Sequence, residues 1–449
     1  MNLDLSSRQG AAQVPGWKRR WTFLLAATGS AFGLGNIWKL PYIIGENGGG
    51  AFVLVFLLCI LLIGVPIMMA ETLLGRLGRA NPVATMGALA VASGRSPNWA
   101  LAGGLGVAAG LLIMMFYSVV AGWILTYVFT TASGSFEGLQ AAAVGERFAQ
   151  LRDNFSLQLL AHGVFAVVTG LIVAGGVTRG IGRAVEVLMP LLFLFILVML
   201  GYSMANAEFL AGIRFLFVPD FSGLSADGVL VALGHAFFSL SLGMGAIMAY
   251  GAYMPGDAPI GKTIVAVALL DTLFGLMMGM VIFPLIFAHG IAPSAGPGLL
   301  FESLPIAFGN MPWGAGMGGV FFTLVLLAAL TSSISLIEPG VAWLTQKFAM
   351  GRVAATTLLT GIGAAGGVLS IQSEAVFNFL DALTSRYLLP LGGMVIAIFC
   401  GWLVREDLVK GGLRMSNPLA YGWWRVSVRF AAPLGILLIF LHSFGLLGG

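Results

Sequence analysis

Eleven long stretches of this chain carry almost no charge, and no other feature limits its folding as strongly. They run over residues 21–44, 51–75, 100–130, 159–177, 182–205, 228–254, 262–289, 316–346, 353–371, 376–403 and 422–446. About 20 apolar residues in a helix cross roughly 30 Å of hydrocarbon, so each stretch reads as a membrane-spanning helix, the longer ones tilted or kinked. None alternates with period two, which argues against a β-barrel. Only 9% of the 449 residues are charged, against ~25% in soluble domains, and the mean hydropathy is +0.98. A water-soluble chain is excluded: the expected fold class is an all-α integral membrane protein with about 11 transmembrane helices, its outer surface in lipid.

The few basic residues orient the bundle. With the N-terminus inside, only Lys39, Arg147, Arg152, Arg214 and Arg386 of the 22 Lys and Arg fall outside. This is the positive-inside bias, and it predicts a cytoplasmic N-terminus and, for an odd number of spans, an extracytoplasmic C-terminus. A net charge of +4 over 449 residues makes no basic stripe for nucleic acid. Met1 to Gly16 lacks a short apolar run with a cleavage site, so no signal peptide is read. Cys59 and Cys400 lie in apolar runs and suggest neither a disulfide framework nor a metal site. No His, Cys or acidic cluster has metal-ligand spacing and no phosphate-loop pattern is present, so an enzyme or ATP-driven pump is not expected.

Glycine, at 64 residues, is twice its usual share of ~7% without a collagen period. Some of the excess interrupts two spans. Span 1 contains Thr28-Gly-Ser-Ala-Phe-Gly-Leu-Gly-Asn36 and span 6 contains Phe238-Ser-Leu-Ser-Leu-Gly-Met-Gly245. Unwound backbone at membrane depth is tolerated only where it is buried in protein or lines a cavity. Paired interruptions at corresponding places in two halves point to a transporter's midplane site; the alternative is close helix packing through small residues.

The run Trp-Lys-Arg-Arg-Trp from Trp17, Gly29 to Pro41, Glu46-Asn-Gly-Gly-Gly-Ala-Phe52, Gly64 to Arg76, Phe237 to Ala246 and Leu330-Thr-Ser-Ser-Ile334 resembles the neurotransmitter:sodium symporter family, in order and spacing over the whole chain. The resemblance implies a 5+5 inverted repeat with broken helices 1 and 6: an N-terminal segment 1–20, a first repeat 21–205, an outer connection 206–227, a second repeat 228–403, an inner loop 404–421 and an appended span 422–449. It implies a sodium-coupled symporter of the bacterial inner membrane, monomeric or a weak homodimer, whose small-molecule substrate is an amino acid.

By resemblance, one sodium takes the Ala31 carbonyl, Asn36, Ser239, Asp271 and the substrate carboxylate. A second takes the carbonyls of Gly29, Phe32 and Ala328 with the hydroxyls of Thr331 and Ser332. The substrate pocket comprises Ser30, Ala31, Gly33, Gly35, Ile113, Tyr117, Phe238, Ser239, Ser241, Met244, Ser332 and Leu336, with Tyr117 donating to the carboxylate. Gly33 stands where carriers of monoamines place an acid, which favours a substrate bringing its own carboxylate: a neutral, hydrophobic L-amino acid. A betaine, β-amino acid or taurine-like solute is the alternative, and a sodium-conducting channel is the reading from another class. An ionisable residue in mid-span marks a functional site by default. Asp271 is expected to bind sodium and to supply the fixed negative charge that makes chloride unnecessary; a protonated, hydrogen-bonded carboxyl is the competing reading. Glu71 is expected to receive amides freed by the breaks, and Glu338 to make a structural hydrogen bond. The usual outer Arg–Asp gate is replaced by Lys39, with Asp381 the nearest partner, beside His235. On the inner side Val14 and Gln346 replace the usual ion pair while Trp17 remains. In span 5, Gly180 and Pro190 suggest a segment that can unwind.

Overall fold

The computed structural model describes residues 16–292 and 298–446; Arg8, Val14 and most of the N-terminal segment lie outside them. Among the described residues, nine continuous helices are long and apolar enough to cross a membrane, from Gly50–Gly78 to Pro418–Ser443, and no strand is present. Two further apolar segments are interrupted. The first runs as a helix Arg20–Ala31, a non-helical bend, a π-helical turn Gly35–Lys39 and a helix Leu40–Glu46. The second runs as Ala226–Ser239, a turn over 240–245, and Ala246–Tyr253. The gaps fall where the Gly and Ser residues cluster, because those residues offer the helix little propensity and compete for its backbone hydrogen bonds.

Burial separates inner from outer helices. The apolar window of Gly314–Phe348 is 72% buried and that of Pro97–Ala132 is 67% buried, whereas Val177–Asn206 reaches only 28%. The first two therefore form the centre with the broken segments, and the last faces lipid. Gly106 approaches the Gly245 backbone and Gly110 the Leu336 carbonyl, so the helix Ala100–Ala132 packs directly on the second break. Small residues permit such contacts in lipid, where dispersion rather than water exclusion holds helices together.

Several helices fall outside the eleven apolar stretches: Pro82–Ala92, Ala141–Asp153, Phe209–Phe217, Leu304–Gly309 and Glu406–Leu413. Each is too short to cross hydrocarbon and joins longer ones. Local sequence sets two boundaries around them. Asn81 accepts from the Ala84 amide at 3.0 Å ahead of Pro82, and Asn154, which ends one helix, caps the next by accepting from Leu157 at 3.0 Å. The same Asn-Pro start sets the last helix at Pro418, four residues before the apolar run begins.

Candidate functional site

The two breaks touch each other, Ser241 Oγ donating to the Ser30 carbonyl at 2.7 Å, and the helix Gly314–Phe348 packs beside the first through Ser332. In the second, Ser241, Gly243 and Gly245 all have positive φ, of 53°, 80° and 74°. Gly243 is required twice over: its backbone is left-handed, and a β-carbon there would lie 2.2 Å from the Leu389 carbonyl. The amide this turn leaves without a helical acceptor is received by Glu71, whose Oε1 accepts from Gly243 N–H at 2.7 Å. Glu71 is fully buried, so this carboxylate holds the break in place.

Between the breaks lies a set of oxygen ligands. Asn36 Nδ2 donates to Asp271 Oδ1 at 2.5 Å and Ser239 Oγ donates to Asp271 Oδ2 at 2.9 Å. Asp271 thus joins the first broken segment, the second broken segment and its own helix Ile260–Phe287. The Asn36 Oδ1 oxygen is buried without a hydrogen-bond partner. A carboxylate, a hydroxyl and an unpartnered amide oxygen, all buried, form the donor set of a hard cation. The resemblance also assigns the Ala31 carbonyl here, at the end of the helix Arg20–Ala31.

The second group sits nearer the Trp17 side. Ser332 Oγ crosses between helices and donates to the carbonyls of Gly29 and Ser30, both at 3.2 Å, whereas Thr331 Oγ1 bonds within its helix to Ala328 at 2.9 Å. Phe32 follows the end of the first helix, its amide bonded to Thr28 at 2.7 Å. These elements bring the hydroxyls of Thr331 and Ser332 close to backbone that helix breaking has loosened.

A pocket of about 30 Å³ adjoins both groups through Ala31 and Ser332 and is lined by Ser30, Ala31, Gly33, Leu34, Gly35, Ile113, Tyr117, Phe238, Ser241, Met244, Ser332, Ser335 and Leu336. Every residue expected to line the pocket is there except Ser239, which faces Asp271 instead. Tyr117 Oη lies toward Ser332 and the Leu34 backbone without reaching hydrogen-bond geometry with either. A β-carbon on Gly33 would fall 2.3 Å from Ser332 Oγ and 3.2 Å from Tyr117 Oη, so only glycine fits between them. The pocket volume is enough for about one water molecule.

Above this pocket, on the Lys39 side, is a cavity of about 680 Å³ that shares Leu34, Gly35, Tyr117 and Phe238 with it and is walled by Trp38, Phe116, Trp123, Phe148, Phe301 and Phe377. Lys39 Nζ stands 3.6 Å from Asp381 Oδ1 and 5.2 Å from the Phe238 ring centre. Farther out, Arg152 bonds Glu374 at 2.7 Å. His235 is 4% exposed, lies against Phe56 and Phe238, and has no hydrogen-bond partner on either nitrogen.

The Trp17 side is closed. Trp17 Nε1 donates to the Val177 carbonyl at 3.0 Å, its amide donates to Tyr253, and its ring packs edge-on against Phe23, Tyr250 and Tyr253. Lys18 and Arg19 are exposed. Gln346 accepts from Asn81 at 2.8 Å, backbone and side chain alike. Below Trp17, Tyr253 donates to Glu338 at 2.6 Å, and Arg352 holds both Glu338 oxygens while also donating to the Val173 carbonyl. Helix Arg183–Asn206 continues through Pro190, and the π-helical turn Val177–Gly182 before it contains Gly180. The sequence reading missed two features here. Ser335 stands one turn from Ser332 on the same face, a spacing that marks it. The Glu338–Arg352 pair spans a loop and leaves no periodic signal.

The sodium:neurotransmitter symporter family description matches residues 15–140 and 146–447. An uncharacterised sodium-dependent transporter of Bacillus subtilis, YhdH, is 36% identical over 446 residues, covering 96% of this chain and 98% of its own. One from Haemophilus influenzae is 32% identical, covering 95% and 97%. The sodium-dependent serotonin transporter of Drosophila melanogaster is 24% identical, covering 95% and 76%. Among solved structures, MhsT in complex with L-phenylalanine superposes with a TM-score of 0.88 at 40% identity, covering 96% of this chain and all of that one.

Proposed function

The chain belongs to the sodium:neurotransmitter symporter family, and on that premise we propose that it imports a neutral, hydrophobic L-amino acid with two sodium ions and without chloride. The observation that carries this reading is Asp271, held by Asn36 from one break and Ser239 from the other. A sodium ion bound at Asp271, Asn36, Ser239 and the Ala31 carbonyl ties the two broken segments together, and the substrate carboxylate completes its shell. The carboxylate of Asp271 provides the negative charge that an added chloride would otherwise supply. A second ion at Gly29, Phe32, Ala328, Thr331 and Ser332 ties the first helix to Gly314–Phe348.

Tyr117 Oη, buried without a partner, is the donor for the substrate carboxylate, and Gly33 leaves the space for it. The uncharged lining by Ile113, Phe238, Met244 and Leu336 suits an apolar side chain, consistent with the L-phenylalanine in the complex of MhsT. The cavity on the Lys39 side and the closure around Trp17 correspond to a carrier open outward, with a cytoplasmic N-terminus. Lys39, Asp381 and His235 form the outer gate and Trp17 the inner one, with the two broken segments as additional spans.

Two sodium ions moving down a 100 mV potential and a tenfold gradient supply about 7 kcal/mol, enough for on the order of 10⁵-fold accumulation of a zwitterion. Proteoliposome uptake of radiolabelled amino acids under an imposed sodium gradient tests the proposal. Uptake of leucine or phenylalanine that persists in gluconate is expected; absence of sodium-dependent uptake for every neutral amino acid refutes it.

A further inference from the structure

Ser335 has no task among the sodium and carboxylate ligands, yet it lines the pocket. Ser30 Oγ donates to Ser335 Oγ at 2.8 Å, and Ser335 Oγ donates to the Ser332 carbonyl at 2.7 Å. The other serine hydroxyls of the pocket are also committed: Ser241 donates to the Ser30 carbonyl at 2.7 Å, and Ser332 to those of Gly29 and Ser30. All four serines are buried. Each hydroxyl has one proton and two acceptor lone pairs. The protons here all go to acceptors inside the protein. Ser335 Oγ receives one hydrogen bond and keeps one lone pair free, while Ser30 Oγ keeps both.

The Ser30–Ser335 wall therefore offers acceptors and no donor. Turning either proton toward a substrate acceptor would break a bond already made, whereas a substrate donor would add one. Position agrees with this. Tyr117 Oη and Ser332 mark the carboxylate end beside Gly33, and Ser335 lies one helical turn farther, about 4.5 Å along the axis. Of the other lining side chains, Ile113, Met244 and Leu336 have no strong hydrogen-bonding group.

We infer that Ser30 and Ser335 make this pocket select, among neutral amino acids, those whose otherwise apolar side chain carries one N–H or O–H donor. The inference rests on the reading of this pocket as an amino acid site. One added hydrogen bond in a buried site is worth about a fivefold to tenfold gain in affinity.

The test uses the full chain purified in detergent with sodium and compares ligands matched in shape. L-Tryptophan is set against 3-benzothienyl-L-alanine, where sulfur replaces the indole N–H, and L-tyrosine against 4-fluoro-L-phenylalanine, by displacement of radiolabelled leucine. Expected is a fivefold to tenfold preference for the donor-bearing member of at least one pair. Ser335→Ala should bring that preference, read as the ratio of affinities within each pair, below twofold. Ser30→Ala repeats the test should Ser335→Ala fail to fold. Equal affinity for both members of both pairs, or a preference that survives both substitutions, overturns the inference while the amino acid reading stands. Failure of every amino acid to bind with sodium overturns both.

Discussion

Replacing Asp271 by Asn keeps the size of the side chain and removes its charge. In the native site both carboxylate oxygens are used: Oδ1 accepts from Asn36 at 2.5 Å and Oδ2 from Ser239 at 2.9 Å. An amide has only one oxygen, so one of these donors would face an NH₂ group. The NH₂ can instead donate to Asn36 Oδ1, which has no partner, but that consumes the oxygen a cation needs. A hydrogen bond to a charged group contributes about 1.5–3 kcal/mol, so sodium affinity should fall roughly 10- to 150-fold. The missing charge can be supplied by an anion from solution. In gluconate, Asp271→Asn should require far more sodium for half-maximal thermal stabilisation or uptake, and chloride should recover much of the loss, while the wild type responds alike in both salts. Sodium dependence of the variant within threefold of wild type in both media would refute the reasoning, as would wild-type uptake that collapses without chloride.

The remaining predictions concern packing and charge. Gly75→Ala places a β-carbon 1.9 Å from the Met248 carbonyl, backbone that cannot swing aside, and should cost about 1–3 kcal/mol or more. Gly104→Ala, with nothing within 4 Å, should be neutral or slightly stabilising in the same thermal melts. Arg352→Ala leaves Glu338, whose side chain is 0% exposed, without its counter-charge and should destabilise by about 3–5 kcal/mol; adding Glu338→Gln should restore part of the loss. Hydrogen bonds from Lys410 and then Arg425 hold the carboxyl of the exposed Glu406 down to about 2. Its folded value is depressed, so its stabilising contribution is present above the ordinary value of 4.5 and is lost as pH falls toward 2. The melting-temperature gap between wild type and Glu406→Gln should accordingly be present at pH 6 and close on acidification.

The two breaks were legible because glycine and serine at membrane depth violate the local rule for a helix, and such violations gather at functional sites. Glu71 and Asp271 were legible for the same reason, as acids where acids are expensive. The connecting helices were not, since a hydropathy window tuned to hydrocarbon thickness passes over elements shorter than it. Nor could the sequence show which of its hydroxyls cross between helices. Thr331 and Ser332 are adjacent and alike in chemistry, yet one bonds back to Ala328 and the other reaches Gly29 and Ser30. That difference comes from the direction of the side chain around the helix, which is fixed only when its neighbour is in place. The pairing of Arg352 with Glu338 likewise depends on how a loop returns the chain.

The two ends of the molecule carry contacts of different kinds. The contacts made by Trp17 are uncharged, a ring against rings and an indole N–H on a carbonyl, while Lys39 and Asp381 meet as ions with side chains 22% and 40% exposed. Salt screens exposed charges, with a Debye length of about 8 Å at physiological strength and about 3 Å at 1 M, and leaves aromatic packing almost untouched. Concentrated salt would therefore loosen the contact between Lys39 and Asp381 and spare the packing around Trp17. On the orientation proposed above, the same dissolved sodium that binds the carrier would also weaken the tie across its substrate-receiving face.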